Sequence, residues 1–529
     1  MPPLPWWFLA VFVVGANFAV WGAVGVIRLA ESRKGRMARR AVLALGVNFA
    51  IWGMTCAIRL AGSRTVLLAR LSMWQLARPV ARATGRARSR QAGAENAGPT
   101  IPRISVSVSD VAVLIPAHNE AAVLGESLNA IMKLVPAANI HVVSDGSTDD
   151  TPAIARRAGA HVHETERNVG KAGALREAIE RFELIESYPV VLLLDADTRV
   201  QPDYFTAALP LFDTPGVVAV AGCVQTARDR HLDFIGNILV GHRERIYTIG
   251  QRLLKFGQTY LRTNATHIVP GFASMYRTEV LPYIDLNPPG LVIEDFNMTF
   301  EVYQKSLGKV AFSLSAVAVT QDPDKFHDYV KQTRRWAVGL WQTVRRHPPR
   351  ANLFTAMLAL LLLELVTSSV IFVLLPLIVV VLVLPDLAGN ISLTWPPFAD
   401  LHAVVAAHMT LWAILFGVLL PDYAMTCLVA VLDRRPRLLF FGLFFPILRV
   451  VDAAVALSAV PAGWFVRSSG VWQSPTRRAF EPTPMPAPIA TRTPPVPVAT
   501  TNLEPVTTAP GHLESPVSSE YIRERGHAS

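Results

Sequence analysis

Val190-Val191-Leu192-Leu193-Leu194-Asp195-Ala196-Asp197 reads as a buried strand that ends in two carboxylates. An apolar run without alternation suits a strand covered on both faces, as in a parallel sheet. Strand periodicity would turn both aspartates to one side of the C-terminal sheet edge, where ligands sit in open α/β folds. Two converging carboxylates suit a hard divalent cation such as Mg2+ or Mn2+, which keeps waters and bridges phosphate oxygens. Aspartates that cap a helix or close a loop have the same spacing. Outward from this stretch the pattern repeats. Residues 111–116 and 140–144 are short β-rich runs that alternate with helical stretches. Asn119 is placed to cap the first helix, and Thr151-Pro152 puts proline in a first turn behind Asp149-Asp150. The alternation predicts an α/β domain over residues 110–350, with a doubly wound, mostly parallel sheet.

The rest of the chain is of another kind. Its 529 residues are 51% hydrophobic and only 17% charged, with positive mean hydropathy, which points to membrane spans. The net charge of +10 does not indicate nucleic acid, because the basic residues cluster beside apolar stretches, near 28–40, 64–90 and 433–437. Anionic lipid headgroups and the positive-inside rule favour that placement. Residues 1–62 hold two apolar runs, 6–30 and 41–61, that are an internal repeat. Gly15-Ala16-Asn17-Phe18-Ala19-Val20-Trp21-Gly22 recurs as Gly46-Val47-Asn48-Phe49-Ala50-Ile51-Trp52-Gly53. These are expected to span the membrane or, for one of them, to lie in its interface. Residues 63–109 form a basic linker, and residues 351–465 carry three further apolar runs at about 354–384, 403–431 and 438–463. Loop 385–402 has no Lys or Arg, whereas 433–437 is basic, so the α/β domain is expected on the cytoplasmic side of the plasma (inner) membrane. If both N-terminal runs cross, the basic loop 31–40 falls outside against the same rule, and their orientation stays open. The tail, 466–529, is rich in Pro, Thr and Ala and is disordered by composition. Cys56, Cys223 and Cys427 show no CxxC or His-Cys spacing and read as small buried hydrophobes.

Further motifs fall at expected strand ends. Ile115-Pro116-Ala117-His118-Asn119-Glu120, Ser144-Asp145-Gly146-Ser147 and Asn168-Val169-Gly170-Lys171 each carry turn chemistry. Together they place Asp145 where it could bond a base and Lys171 where it could neutralise a phosphate. Gln332, Arg335 and Trp336 fall at i, i+3 and i+4, on one helix face.

The order Pro-Ala-His-Asn-Glu, Ser-Asp-Gly-Ser-Thr-Asp, Asn-Val-Gly-Lys, Asp-Ala-Asp, Glu-Asp and Gln-Thr-Arg-Arg-Trp resembles glycosyltransferase family 2 over about residues 110–350. It looks especially like the membrane-bound branch of cellulose, chitin and hyaluronan synthases and bacterial poly-N-acetylglucosamine synthase. The resemblance implies a GT-A-type fold and an inverting transfer from a UDP-sugar to an acceptor hydroxyl. It puts Ala117 and Glu120 at a uridine pocket, Asp145 beside the uracil and Lys171 near the nucleotide. Asp195 would line the nucleotide-sugar site and Asp197 would ligate Mg2+ or Mn2+, both touching the metal–diphosphate unit. Asp295, beside Glu294, takes the general base position, although Ile293 stands where the family often has Thr. Arg335 would stabilise the leaving diphosphate, and Gln332 and Trp336 would meet the acceptor sugar. Gly271 and Ser274 fall in a loop that lines the acceptor site in the synthases, and His118 has no assigned role.

The expected product is a β-linked polysaccharide, with membrane lipids and accessory secretion subunits as partners and no nucleic acid. Single addition to a lipid or protein acceptor is the alternative. A non-catalytic nucleotide-binding scaffold of a secretion assembly is the second, and it would have no need of Asp195, Asp197, Asp295 and Arg335.

Overall fold

The computed structural model describes residues 105–466, apart from 228–231, 262–263 and 390. The duplicated apolar segments, the basic linker up to residue 104 and the tail from 467 lie outside the described residues. Strands β1 (Val111–Ala117), β2 (Ile140–Ser144), β3 (His161–Glu164), β4 (Val190–Leu194), β5 (Arg199–Val200), β6 (Val217–Thr226), β7 (Ala273–Arg277) and β8 (Lys309–Thr320) form one sheet in the order β3-β2-β1-β4-β7-β6-β8-β5. Neighbours are parallel from β3 to β4 and again between β6 and β8. The short β7 runs antiparallel between β4 and β6, as does β5 at the far edge.

Strand alternation divides the core in two. Val190, Leu192 and Leu194 of β4 join Val111, Val113 and Ile115 of β1 on one face. Val191 and Leu193 join Ala112 and Leu114 on the other. Helices α1 (Ala121–Ile131) and α2 (Thr151–Arg157) cover the first face through Leu124, Leu128 and Ala155. Helices α3 (Lys171–Arg181) and α5 (Glu294–Gln304) cover the second through Ala174, Leu175, Met298 and Val302. This is the doubly wound α/β architecture that the alternation predicts, with apolar strands buried on both sides.

Two local details differ. Asn119 does not cap α1: it takes a φ of 54°, and its Oδ1 accepts from the Thr148 backbone N–H at 2.8 Å, tying the ends of β1 and β2 together. Asp195 and Asp197 do not lie on the strand. Residues 195–198 form a turn closed by the Thr198 N–H on the Asp195 carbonyl at 3.0 Å, so the turn, not strand alternation, aims both carboxylates.

Beyond the sheet, α4 (Phe234–Ile249) and α6 (Phe326–Arg346) join the α/β domain to apolar helices α7 (Leu353–Leu387), α8 (Pro396–His408), α9 (Leu420–Leu432) and α10 (Phe445–Phe465). Among the described residues, two helical stretches are long and apolar enough to cross a membrane, Leu353–Leu387 and Arg437–Phe465. The run at 403–431 is not one helix. Its first part, α8, has 13 residues, about 20 Å, short of a bilayer core of about 30 Å, and Met409 is extended at φ −140° and ψ 138°. Helix α6 rests on α10 through Val338, Trp341 and Ala459, and the Tyr329 hydroxyl donates to Asp452 of α10 at 2.8 Å.

Candidate active site

A cavity of about 820 Å3 opens at the C-terminal edge of β4. Asp195 and Asp197 line it from the turn, Lys171 from the start of α3, Glu294 and Asp295 from the start of α5, and Gln332, Arg335 and Trp336 from α6. Its far wall includes Leu361 and Leu365 of α7 and Ala462 of α10. The sheet edge and the apolar helices thus share one cavity.

The charges converge on Lys171. Its Nζ lies 2.8 Å from Asp195 Oδ1 and 3.0 Å from Glu294 Oε1. Burial opposes the charge on Lys171, but Asp195, Glu294 and Asp295 outweigh it and hold its pKa well above the usual value. One cation cannot neutralise three carboxylates, and they respond differently. Burial would raise Glu294, yet Lys171 and backbone N–H donation bring it below its ordinary range. Burial and the neighbouring Glu294 push Asp295 up to about 7, against Lys171 and the Gly271 N–H. Asp195 is also raised by burial, with Lys171 opposing. A carboxylate poised near neutrality in a cavity is the property a general base requires.

Backbone geometry fixes Asp295. The Gly271 N–H donates to its Oδ2 at 2.8 Å, and a Cβ on Gly271 would stand 2.4 Å from its Oδ1. Ser274 does not face the cavity: it is fully buried, and its hydroxyl donates to the Pro270 carbonyl at 2.6 Å, closing the 270–274 loop. Acidic residues in the first turn of α5 also suit the positive end of the helix.

Ala117, Glu120 and Asp145 stand apart from the cavity lining. All three are buried where β1 and β2 end. Asp145 accepts from the Val169 N–H at 2.7 Å, the Gly170 N–H at 2.9 Å and the Thr165 hydroxyl at 3.0 Å. Its carboxylate therefore shapes the loop that presents Lys171. The Trp336 ring is also engaged, with the Arg243 guanidinium 4.5 Å from its centroid.

Asp322 escaped the motif reading. It lines the cavity just past β8, its Oδ1 accepts from the Tyr247 hydroxyl at 2.8 Å, and burial raises its pKa. Its Oδ2 is buried without a hydrogen-bond partner. The only sequence signal was an acidic residue two positions after a strand, which many turns share.

These donors fit a divalent cation. Asp195, Asp197 and Asp322 share the wall. Among the described residues no three His, Cys, Asp or Glu side chains are grouped tightly enough to hold a metal. Substrate oxygens and water would complete the shell, the usual situation for Mg2+.

Residues 109–339 match the family model described as glycosyltransferase like family 2. An uncharacterized glycosyltransferase, YaiP, of Escherichia coli K12 is 28% identical over 240 residues, which are 44% of this chain and 57% of that protein. The hyaluronan synthase of Streptococcus pyogenes is 26% identical over 246 residues, 43% of this chain and 56% of the synthase. The chain thus spans little more than half the length of these curated relatives. Among solved structures, a mannosyltransferase from Pyrobaculum calidifontis in complex with GDP-Man and Mn2+ is similar with a TM-score of 0.41 and 17% identity, covering 75% of this chain and 97% of that one. The family match begins just before β1 and ends inside α6, past Trp336, and so takes in the whole sheet together with the Asp195, Asp295 and Arg335 motifs: the α/β domain is similar to glycosyltransferase family 2 throughout its length.

Proposed function

We propose that the protein is an inverting membrane glycosyltransferase that moves a sugar from a UDP-sugar to an acceptor hydroxyl and builds a β-linked polysaccharide. The observation that carries this is Asp295, held by the Gly271 N–H and pushed up to about 7 in the cavity that Asp195, Asp197 and Arg335 also line. An acceptor hydroxyl must lose its proton as it attacks the anomeric carbon, and Asp295 is the group to take it. Single displacement then inverts the anomeric centre. Arg335, on the cavity wall, faces the negative charge that develops on the departing diphosphate. Lys171 keeps Asp195 and Glu294 from repelling one another and adds positive charge beside the donor site. Mg2+ or Mn2+ held by Asp197 and Asp195 would supply Lewis-acid stabilisation of the leaving group. Asp145 and the loop it orders, with Ala117 and Glu120 behind them, would frame the uridine.

The wall formed by Leu361, Leu365 and Ala462 supports an acceptor that meets the site from the membrane side. A growing polymer leaving between the helices fits it, and so does a second reading, single addition to a lipid-borne acceptor. Detergent-purified protein incubated with a panel of UDP-sugars and Mg2+ or Mn2+ tests both. UDP release with products of graded length supports polymer synthesis, and one-sugar products extractable into organic solvent support the second. No UDP release from any donor would overturn the glycosyltransferase reading.

A further inference from the structure

Helix α4 buries four polar side chains in succession, His242, Arg243, Glu244 and Arg245. Charged groups are seldom fully buried unless paired. Glu244 has Arg435 at 3.0 Å, and Arg245 donates to Asp422. Arg243 is different. It is 3% exposed, and Asp322 and Asp452 favour its charge without a hydrogen bond to it. Its guanidinium carbon instead sits 4.5 Å from the ring centroids of both Tyr329 and Trp336. These residues are two helical turns apart on α6, about 10 Å along the axis, a gap that one planar cation fills. Its Nη2 donates to Thr333 Oγ1 at 2.9 Å and to Gln332 Oε1 at 3.3 Å, and its Nε has no partner.

We infer that Arg243 is a positioning residue for sugar transfer: wedged between Tyr329 and Trp336, it fixes the Trp336 ring and the Gln332 amide at the cavity wall and leaves the other indole face for the acceptor. This rests on the reading of Trp336 as an acceptor platform. Lysine cannot replace the wedge, because a compact ammonium does not stack as a plane between two rings.

The test compares R243A, R243K, W336F and the R243A/W336F double variant in detergent, each checked for an unchanged melting temperature. UDP affinity by calorimetry is expected to stay within about twofold of the parent in all four. UDP release from whichever donor the parent turns over should fall about 10- to 100-fold in R243A, since small misplacement of a binding group can cost that much. R243K should not restore it, and the double variant should be no slower than the slower single variant, because both changes act on one element. Restoration by R243K, losses that multiply in the double variant, or UDP affinity falling with turnover would each overturn the role. Fluorescence separates this from the activity itself. The Trp336 emission, taken as the difference from W336F in the same background, should shift in wavelength when Arg243 becomes alanine, even if no donor is turned over. An unshifted emission would overturn the wedge, whereas a parent that releases no UDP would overturn only the activity.

Discussion

At the scale of single residues, the chemistry depends on how one buried lysine is shared among three acids. Glu294 and Asp195 hold Lys171 directly, and Asp295 is left with a backbone donor and an affinity for protons near neutrality. Replacing Asp295 by Asn keeps shape and burial but removes the proposed base. We expect UDP release to fall about 100- to 10,000-fold, the range of general base catalysis, with UDP affinity unchanged by calorimetry. The raised pKa also sets the pH profile. Below about 7 Asp295 takes up a proton and the base is lost, so kcat/KM should fall tenfold per pH unit on the acid side, a limb that Asp295→Asn would lack. Gly271→Ala tests the scaffold of the same carboxylate. The added methyl would meet Asp295 Oδ1 at 2.4 Å, so the carboxylate must swing away from the Gly271 N–H. A displacement of this size costs on the order of 100-fold in turnover, measurable as UDP release at saturating donor.

Elements explain why part of the site was legible in the sequence and part was not. The β4 stretch and its two aspartates could be read because an unbroken apolar run followed by acids leaves few alternatives, and β1 and β2 shared that grammar. Gln332, Arg335 and Trp336 could be placed on one helix face from spacing alone. By contrast, Arg243 meets Trp336 from 93 positions away, and local periodicity carries no information about such a pairing. Asp322 was hidden for the same reason, and so were the bonds of Asp145: its buried carboxylate accepts from backbone N–H groups, a demand that becomes visible only when the 165–170 loop is folded over it. The antiparallel β7 was equally unreadable, yet it carries the Gly271 loop. Its seat depends on Gly222, where β6 bulges against β8 and where a Cβ would stand 1.9 Å from the Ala273 carbonyl oxygen. Gly222→Ala should therefore cost about 3 kcal/mol or more, the upper range for overpacking. The expected result is loss of the monodisperse peak in detergent size-exclusion chromatography.

Across the whole molecule, the sheet edge and the apolar helices line one cavity, and the helix that carries Gln332, Arg335 and Trp336 connects them. Helix α6 packs Trp341 and Val338 against Ala459 of α10, while its Tyr329 reaches Asp452 of the same helix. The part of the cavity around Lys171, Asp195 and Asp197, proposed to take the donor, is polar and lies at the sheet edge. The opposite end is closed by α7 and α10 and has no acid or base among Leu361, Leu365 and Ala462. If the acceptor enters or leaves by that end, a bulky residue there should obstruct transfer without touching the donor site. Ala462→Trp places an indole where a methyl now lines the cavity. UDP affinity should remain at the parent value, because Lys171, Asp195 and Asp197 belong to the sheet edge and to α3. Sugar transfer should fall at least tenfold or, for a polymer, the product should shorten, read by gel separation of radiolabelled chains. Unaltered rate and length in that variant would mean that the acceptor approaches from the aqueous side of the α/β domain, and the apolar wall would then be only the packing surface between that domain and its apolar helices.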